Sequence, residues 1–153
     1  MTTIRLAGAE DVGTIHALLT EMAAEVGRTI AGGSEALLRH GFGPAPRFRA
    51  LLAEEAGQAL GRVTVFPEYS SWRGQVGLYV QDLFVRPAAR SRGLARQLLA
   101  AAVEATRDWE AAYVTLMVDH ENAAAQEWYA RQGFVLRERG DLLMLDGAAL
   151  ARL

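Results

Sequence analysis

The segment Val85-Arg86-Pro87-Ala88-Ala89-Arg90-Ser91-Arg92-Gly93-Leu94-Ala95 is where anion chemistry is best placed in this chain. It reads as a strand, a turn and the start of a helix. A helix N-terminus leaves backbone N–H groups without acceptors and carries the positive end of the helix dipole, so it favours a phosphate or pyrophosphate. Gly93 lets the backbone approach such a ligand closely, and Ala95 keeps the next helical turn small. Arg90 and Arg92 add forked, charge-assisted contacts to phosphate oxygens. The same residues also read as an ordinary basic loop capping a strand. The dinucleotide and Walker fingerprints do not fit, because glycines are too few and the chain has no lysine.

A second group lies downstream in Asn122-Ala123-Ala124-Ala125-Gln126-Glu127-Trp128-Tyr129-Ala130-Arg131-Gln132-Gly133-Phe134. Asn122 is placed to cap a helix and Gly133 to end it. Tyr129 falls about two turns in. Taken alone, Trp128 and Tyr129 read as packing aromatics, with a phenol that needs a partner if buried. Groups suited to proton transfer are scattered over Glu68, Gln81-Asp82, Asp119, His120 and Glu121, and each also reads as a solvated loop or strand-end residue. His16 and His40 read as surface positions. No His/Asp/Glu set has metal-ligand spacing, so no metal is expected. The absence of cysteine excludes disulfides, thiolate metal sites and a cysteine nucleophile.

The elements that must position these groups follow from periodicity. Residues 3–6 alternate as a short strand. Val12, Ile15, Leu18, Leu19, Met22 and Val26 recur at helical spacing, and Gly27 suits the stop. A second helical piece starts near Ser34, with Leu37 and Leu38 as its apolar face. Strands are expected over 48–54 and 59–66, joined by a hairpin at Glu55-Ala56-Gly57, with a polar and aromatic loop over 67–74. A long strand over 76–85 ends at Pro87. A helix from 94 to about 108, a strand over 112–118 and a helix over 123–131 follow. A closing hairpin of 134–138 and 142–145 around Gly140-Asp141, and a helical turn from Gly147, complete an α/β chain with a mixed sheet.

Composition sets the boundaries. The chain has 153 residues, 51% hydrophobic and 22% charged, within ordinary globular usage, so a single domain over 1–153 is expected. All 16 basic residues are arginine, and the formal charge is −2. A weakly acidic chain does not attract nucleic acid as a whole, so an anion site must be local. No apolar run suits a membrane span, and Met1-Thr2-Thr3-Ile4-Arg5 lacks a signal-peptide layout, so a cytoplasmic location is expected.

The turn Arg90, Ser91-Arg92, Gly93, Leu94, Ala95 resembles motif A of the GCN5-related N-acetyltransferases (GNAT), which reads Gln or Arg, two residues, Gly, one residue, Gly or Ala. The Asn122 helix is similar to that family's Asn, two residues, Ala, three residues, Tyr, three residues, Gly-Phe. The resemblance implies a mixed, mostly antiparallel twisted sheet of six to seven strands, about four flanking helices, and a splayed strand pair holding acetyl-CoA. It implies that Arg90, Ser91, Arg92, Gly93, Leu94 and Ala95 bind the pyrophosphate, and that Leu83, Phe84 and Val85 face the pantetheine arm and thioester. Asn122 would contact the pantetheine arm, and Tyr129 would be the general acid toward the leaving thiolate. Without cysteine, direct attack of an amine in a ternary complex is expected.

The run Phe66-Pro67-Glu68-Tyr69-Ser70-Ser71-Trp72 and the strand Tyr79-Val80-Gln81-Asp82 resemble the diamine (spermidine/spermine) and thialysine N-acetyltransferase subgroup. That likeness implies a small-molecule amine as acceptor, a homodimer, and a substrate site including Glu68, Tyr69, Trp72, Gln81 and Asp82. One position departs: the subgroup has Glu, placed to deprotonate the amine, where this chain has Gln81. Strand alternation puts Gln81 and Asp82 on opposite faces, so Asp82 is not expected to stand in. Acetylation of a protein N-terminus or lysine, and acyl-CoA sensing without catalysis, are the alternative functions.

Overall fold

Alternating apolar residues build the sheet, and the helices cover what they leave apolar. The computed structural model describes residues 1–137, 143–145 and 147–152. The chain divides into two compact units, Met1–Met117 and Val118–Leu153.

The first unit holds five strands in the order β1-β2-β3-β4-β5: β1 (Thr3–Leu6), β2 (Arg49–Glu55), β3 (Gln58–Ser70), β4 (Gln75–Val85) and β5 (Tyr113–Leu116). All pairs are antiparallel except β4 with β5. It also holds α1 (Val12–Glu25), α2 (Ser34–Gly41) and α3 (Leu94–Ala105). The β2–β3 hairpin turns on Ala56 and Gly57, both at positive φ (49° and 77°), as a two-residue turn matched to strand twist requires.

Residue parity along the strands sorts the core into two layers. Leu51, Ala53, Val63, Val65, Leu78 and Val80 pack with Leu94, Leu98 and Ala102 of α3. Ala50, Leu52, Ala59 and Phe84 pack with Ile15 and Leu18 of α1. Each fully buried Leu or Val contributes about 1.5–3 kcal/mol relative to exposure, so these layers hold the sheet between its helices.

The second unit holds α4 (Ala123–Arg131) and α5 (Gly147–Leu150). The sheet has five strands among the described residues, against the six to seven expected. The expected closing hairpin falls partly on residues 138–142, outside the described residues, and 134–137 and 143–145 are not in strand.

Two further differences bear on the site. The expected loop from 67 is strand, since β3 continues through Pro67 to Ser70. Proline is tolerated there because β2 pairing ends at Arg49 opposite Val65, and Pro67 pairs only with Leu78 of β4. The helix expected to reach 108 ends at Ala105 and is followed by a 3-10 turn over Arg107–Trp109.

Candidate active site

β4 carries the geometry from which the site is built. It pairs with β3 along its whole length, from Gln75 opposite Ser70 to Val85 opposite Gly61. It pairs with β5 only over Gly77–Val80, opposite Tyr113–Leu116. From Asp82 to Val85, among the described residues, the strand is laddered to β3 alone. The parallel pair therefore opens after Val80, leaving an extended backbone edge beside Leu83, Phe84 and Val85.

That edge runs into the turn over 90–95. After a 3-10 turn over Pro87–Ala89, Ser91 (φ 62°) and Gly93 (φ 77°) take the left-handed conformation on either side of Arg92. Alternating backbone hands of this kind turn successive N–H groups toward one concavity that suits an anion. α3 starts at Leu94, and its first helical bond is Gln97 N–H to Gly93 O at 3.1 Å, so the N–H groups ahead of Gln97 lack helical acceptors. A Cβ on Gly93 would come no nearer than 3.7 Å to Gln97, so glycine is required there by φ rather than by space.

Arg90 and Arg92 both have protein partners. Arg90 Nη2 donates to both oxygens of Glu25 at 2.7 Å, and its Nε donates to Val85 O at 2.9 Å. Arg92 Nη2 donates to Glu55 at 2.6 Å, and this contact holds the Glu55 carboxyl below its ordinary range. Exposed ion pairs are weak, so a polyanion on the N–H cradle can compete for either guanidinium.

The side of the sheet under α1 and α2 gathers the groups suited to proton transfer. A bulge creates the gathering: Val65 pairs with Val80 and Thr64 with Asp82, so Gln81 is an extra residue in β4. Parity changes across it. Leu78 and Val80 face α3 before the bulge, and Leu83 and Val85 do so after it. Tyr79 and Asp82 therefore share the α1 face, together with Phe84. Gln81 and Asp82 were expected on opposite faces by simple alternation, which does not hold across the bulge. Gln81 itself is exposed.

Around Asp82 the contacts are specific. Tyr79 stacks on Phe66 at 4.9 Å between centroids. Thr115, opposite Tyr79 on β5, donates its hydroxyl to Glu68 Oε1 at 2.9 Å. Burial, with the negative charges of Glu68 and Asp82, pushes the Tyr79 phenol above its ordinary value, so it stays protonated at neutral pH. Arg62 lies beneath at 1% exposure, with Nη2 3.1 Å from Asp82 Oδ2 and Nη1 donating to Thr64 Oγ1 at 2.6 Å. The ion pair is close but poorly aligned, and Arg62 Nε and Nη2 make no hydrogen bond. Tyr69 falls on the opposite side by alternation and is 69% exposed, and Trp72 in the turn is 99% exposed, so neither joins this cluster. Arg62 and Thr115 are the residues that sequence reasoning missed. The available signal was a charge inside the apolar run Leu60-Gly61-Arg62-Val63.

Within the second unit, Asn122 caps α4 as expected, its Oδ1 accepting from Ala125 N–H at 3.1 Å. Gln126 Nε2 ties the preceding turn by donating to the carbonyls of Asp119 and His120 at 2.9 Å. Tyr129 is held edge-on between Trp128 at 5.1 Å and Phe134 at 5.4 Å. Burial pushes its phenol above the ordinary value, which keeps the proton on the oxygen.

Comparison with known proteins decides the family. The Acetyltransferase (GNAT) family matches residues 17–134. The chain belongs to the GNAT acetyltransferases. Relatives of the chain are named as N-acetyltransferases. It is 29% identical over 140 residues to the thialysine N-epsilon-acetyltransferase of Bos taurus, covering 85% of this chain and 82% of that protein. It is 34% identical over 84 residues to the uncharacterised N-acetyltransferase YhfO of Bacillus subtilis (strain 168), covering 55% of this chain and 56% of that protein. The chain thus spans about half the length of YhfO. A solved aminoglycoside N-acetyltransferase in complex with CoA shares the GNAT fold, with a TM-score of 0.77 at 21% identity over 95% of each chain. Among the described residues no helix is long and apolar enough to cross a membrane.

Proposed function

We propose that this GNAT chain moves the acetyl group of acetyl-CoA to a primary amine of a small molecule, a diamine, a polyamine or a thialysine-like amino acid. The observation that carries the proposal is the opening of β4 from β5 after Val80, continuous with the N–H cradle of Ser91 to Ala95. The cradle fits a pyrophosphate. The edge over Leu83, Phe84 and Val85 offers backbone donors and acceptors at the spacing an extended amide-bearing arm can pair with. The sequence similarity to thialysine N-epsilon-acetyltransferase supports an amine of that class.

The reaction needs a base for the ammonium and an acid for the departing sulfur. Glu68 takes the proton that the amine must lose. Glu68 shares the α1 face of the sheet with Tyr79 and Asp82, and its Oε1 accepts a hydrogen bond from the Thr115 hydroxyl. The amine nitrogen then bonds to the thioester carbonyl carbon, and a backbone N–H of the open β4 edge stabilises the oxyanion. The C–S bond breaks, the nitrogen releases its second proton to solvent, and Tyr129 gives its proton to the thiolate and recovers one from solvent. Asn122 contacts the pantetheine arm.

Two measurements test this reading. Initial rates with both substrates varied should give intersecting lines, as direct transfer requires. Parallel lines, with CoA released before the amine binds, would refute it. Replacing Arg90 and Arg92 together by alanine should weaken acetyl-CoA binding about tenfold to a hundredfold in calorimetry, since two charge-assisted contacts to phosphate are lost. Unchanged affinity would leave the backbone cradle as the whole phosphate site.

A further inference from the structure

Each of the three arginines between Val85 and Leu94 is met by a carboxylate from a distant part of the chain. We infer that Glu25 and Glu55 act as internal anions that hold Arg90 and Arg92 in the free protein, and that acetyl-CoA must displace both acids, which therefore set how tightly it binds. The inference rests on the cofactor assignment above and deepens it.

Both acids stand at the ends of their elements. Glu25 is the last residue of α1 and Glu55 the last of β2, so either side chain can swing away without opening the interior of a helix or strand. Arg90 Nη2 donates to both Glu25 oxygens at 2.7 Å. Arg92 Nη2 donates to Glu55 Oε1 at 2.6 Å, and Thr2 Oγ1 donates to the same oxygen at 2.9 Å. The four charged side chains remain a third to a half exposed. Water screens such pairs, and they hold weakly. A polyphosphate brought to the N–H groups of the same turn carries several charges and accepts a guanidinium fork as well as a carboxylate does, so it wins the exchange.

Arg86 is the contrasting case. Its Nε and Nη2 fork onto the two oxygens of Glu21 at 2.8 and 2.6 Å, and its Nη1 donates to Ala59 O at 2.7 Å. All three of its nitrogens are engaged, and it precedes the turn. Arg90 is built for a change of partner. Its Nε is fixed to Val85 O at 2.9 Å, and its Cζ lies 5.9 Å from the centroid of the Phe84 ring, both independent of Glu25. That anchor keeps the guanidinium beside the open β4 edge while Nη2 is handed from acid to ligand.

A competitor and a positioning partner predict opposite signs. Breaking a competing pair raises the fraction of protein ready for the cofactor and so tightens binding. Breaking a pair that positions an arginine for the cofactor weakens it.

Calorimetric titration of the full chain with acetyl-CoA tests the inference. Glu25→Gln should tighten binding about threefold to fivefold, the upper end of what an exposed pair is worth. Glu55→Gln should act alike, and the two together should give about tenfold or more, since the pairs share no side chain. Glu21→Gln removes the same charge one turn earlier on α1 and should leave the affinity within about twofold of wild type. In an Arg90→Ala background, Glu25→Gln should change nothing, because the contested group is gone. Unchanged or weaker binding in Glu25→Gln, with a native circular dichroism spectrum, overturns the inference. So does a gain that persists without Arg90, or one that Glu21→Gln matches, since either would be a general effect of charge. If the wild type binds no acetyl-CoA in the same titration, the cofactor assignment itself has failed and this inference falls with it, an outcome distinct from the others.

Discussion

Tyr129→Phe should lower kcat on any accepted amine by about a hundredfold to a thousandfold, the range a positioned general acid contributes. Affinity for acetyl-CoA should stay the same. The substitution removes one oxygen from a ring held between Trp128 and Phe134, and phenylalanine preserves both edge-on contacts, so the fold should be retained. The direction of the phenol shift matters. Burial raises it above the ordinary value near 10, so Tyr129 is protonated across the neutral range and available as an acid. A phenol is already a weaker acid than the thiol it forms, whose reference value is near 8.5, and the shift widens the gap. The transfer is therefore uphill, and burial of the phenol makes it more so. As pH rises, the wild type should therefore lose activity only beyond the ordinary phenol range, once the buried phenol ionises, and Tyr129→Phe should lack that limb. A kcat within threefold of wild type in Tyr129→Phe would remove the phenol from the mechanism.

Glu68→Gln should lower kcat/KM for the amine by about a hundredfold or more, again the scale of a lost proton-transfer group. Glutamine keeps an oxygen for the Thr115 hydroxyl, so the local hydrogen bond survives while the ability to accept a proton is lost. Glu68→Asp should retain part of the activity. The loss should be overcome by raising the pH, because a larger fraction of the amine then arrives already neutral. A pH-independent loss would mean that Glu68 holds the ammonium without taking its proton, and a wild-type rate would leave Asp82 or solvent as the base.

Features written in neighbouring residues were legible in the sequence. The strand–turn–helix geometry over 85–95 was, because Gly93 at positive φ followed at once by a helix start is a local instruction. The Asn122 cap was legible for the same reason, and α4 spans the expected residues, Ala123–Arg131. What depended on partners distant in the chain was not. The bulge at Gln81 exists only in the register of β4 against Thr64 and Val65, so the face of Asp82 could not be counted off along one strand. The continuation of β3 through Pro67 depends on where β2 stops. The burial of Arg62 depends on what covers Leu60 to Thr64, and a charge in a strand run says nothing of its cover. The sequence likeness placed Tyr69 and Trp72 with the acceptor; both side chains are exposed, and one strand alone could not tell that Tyr69 faces away from Glu68.

The all-arginine basic set has a chemical consequence. With no lysine in the chain, ε-amino self-acetylation is excluded, so side-chain amines of the protein cannot be mistaken for acceptors. The most direct measurement is release of CoA thiol from acetyl-CoA by the purified chain, with and without thialysine, spermidine or a protein N-terminal peptide, and with the product weighed by mass spectrometry. Direct acetyl transfer to a small amine predicts thiol release that depends on the small amine and matches N-acetylated product one for one. Tight acetyl-CoA binding with no turnover on any amine, or turnover on the peptide alone, would contradict it.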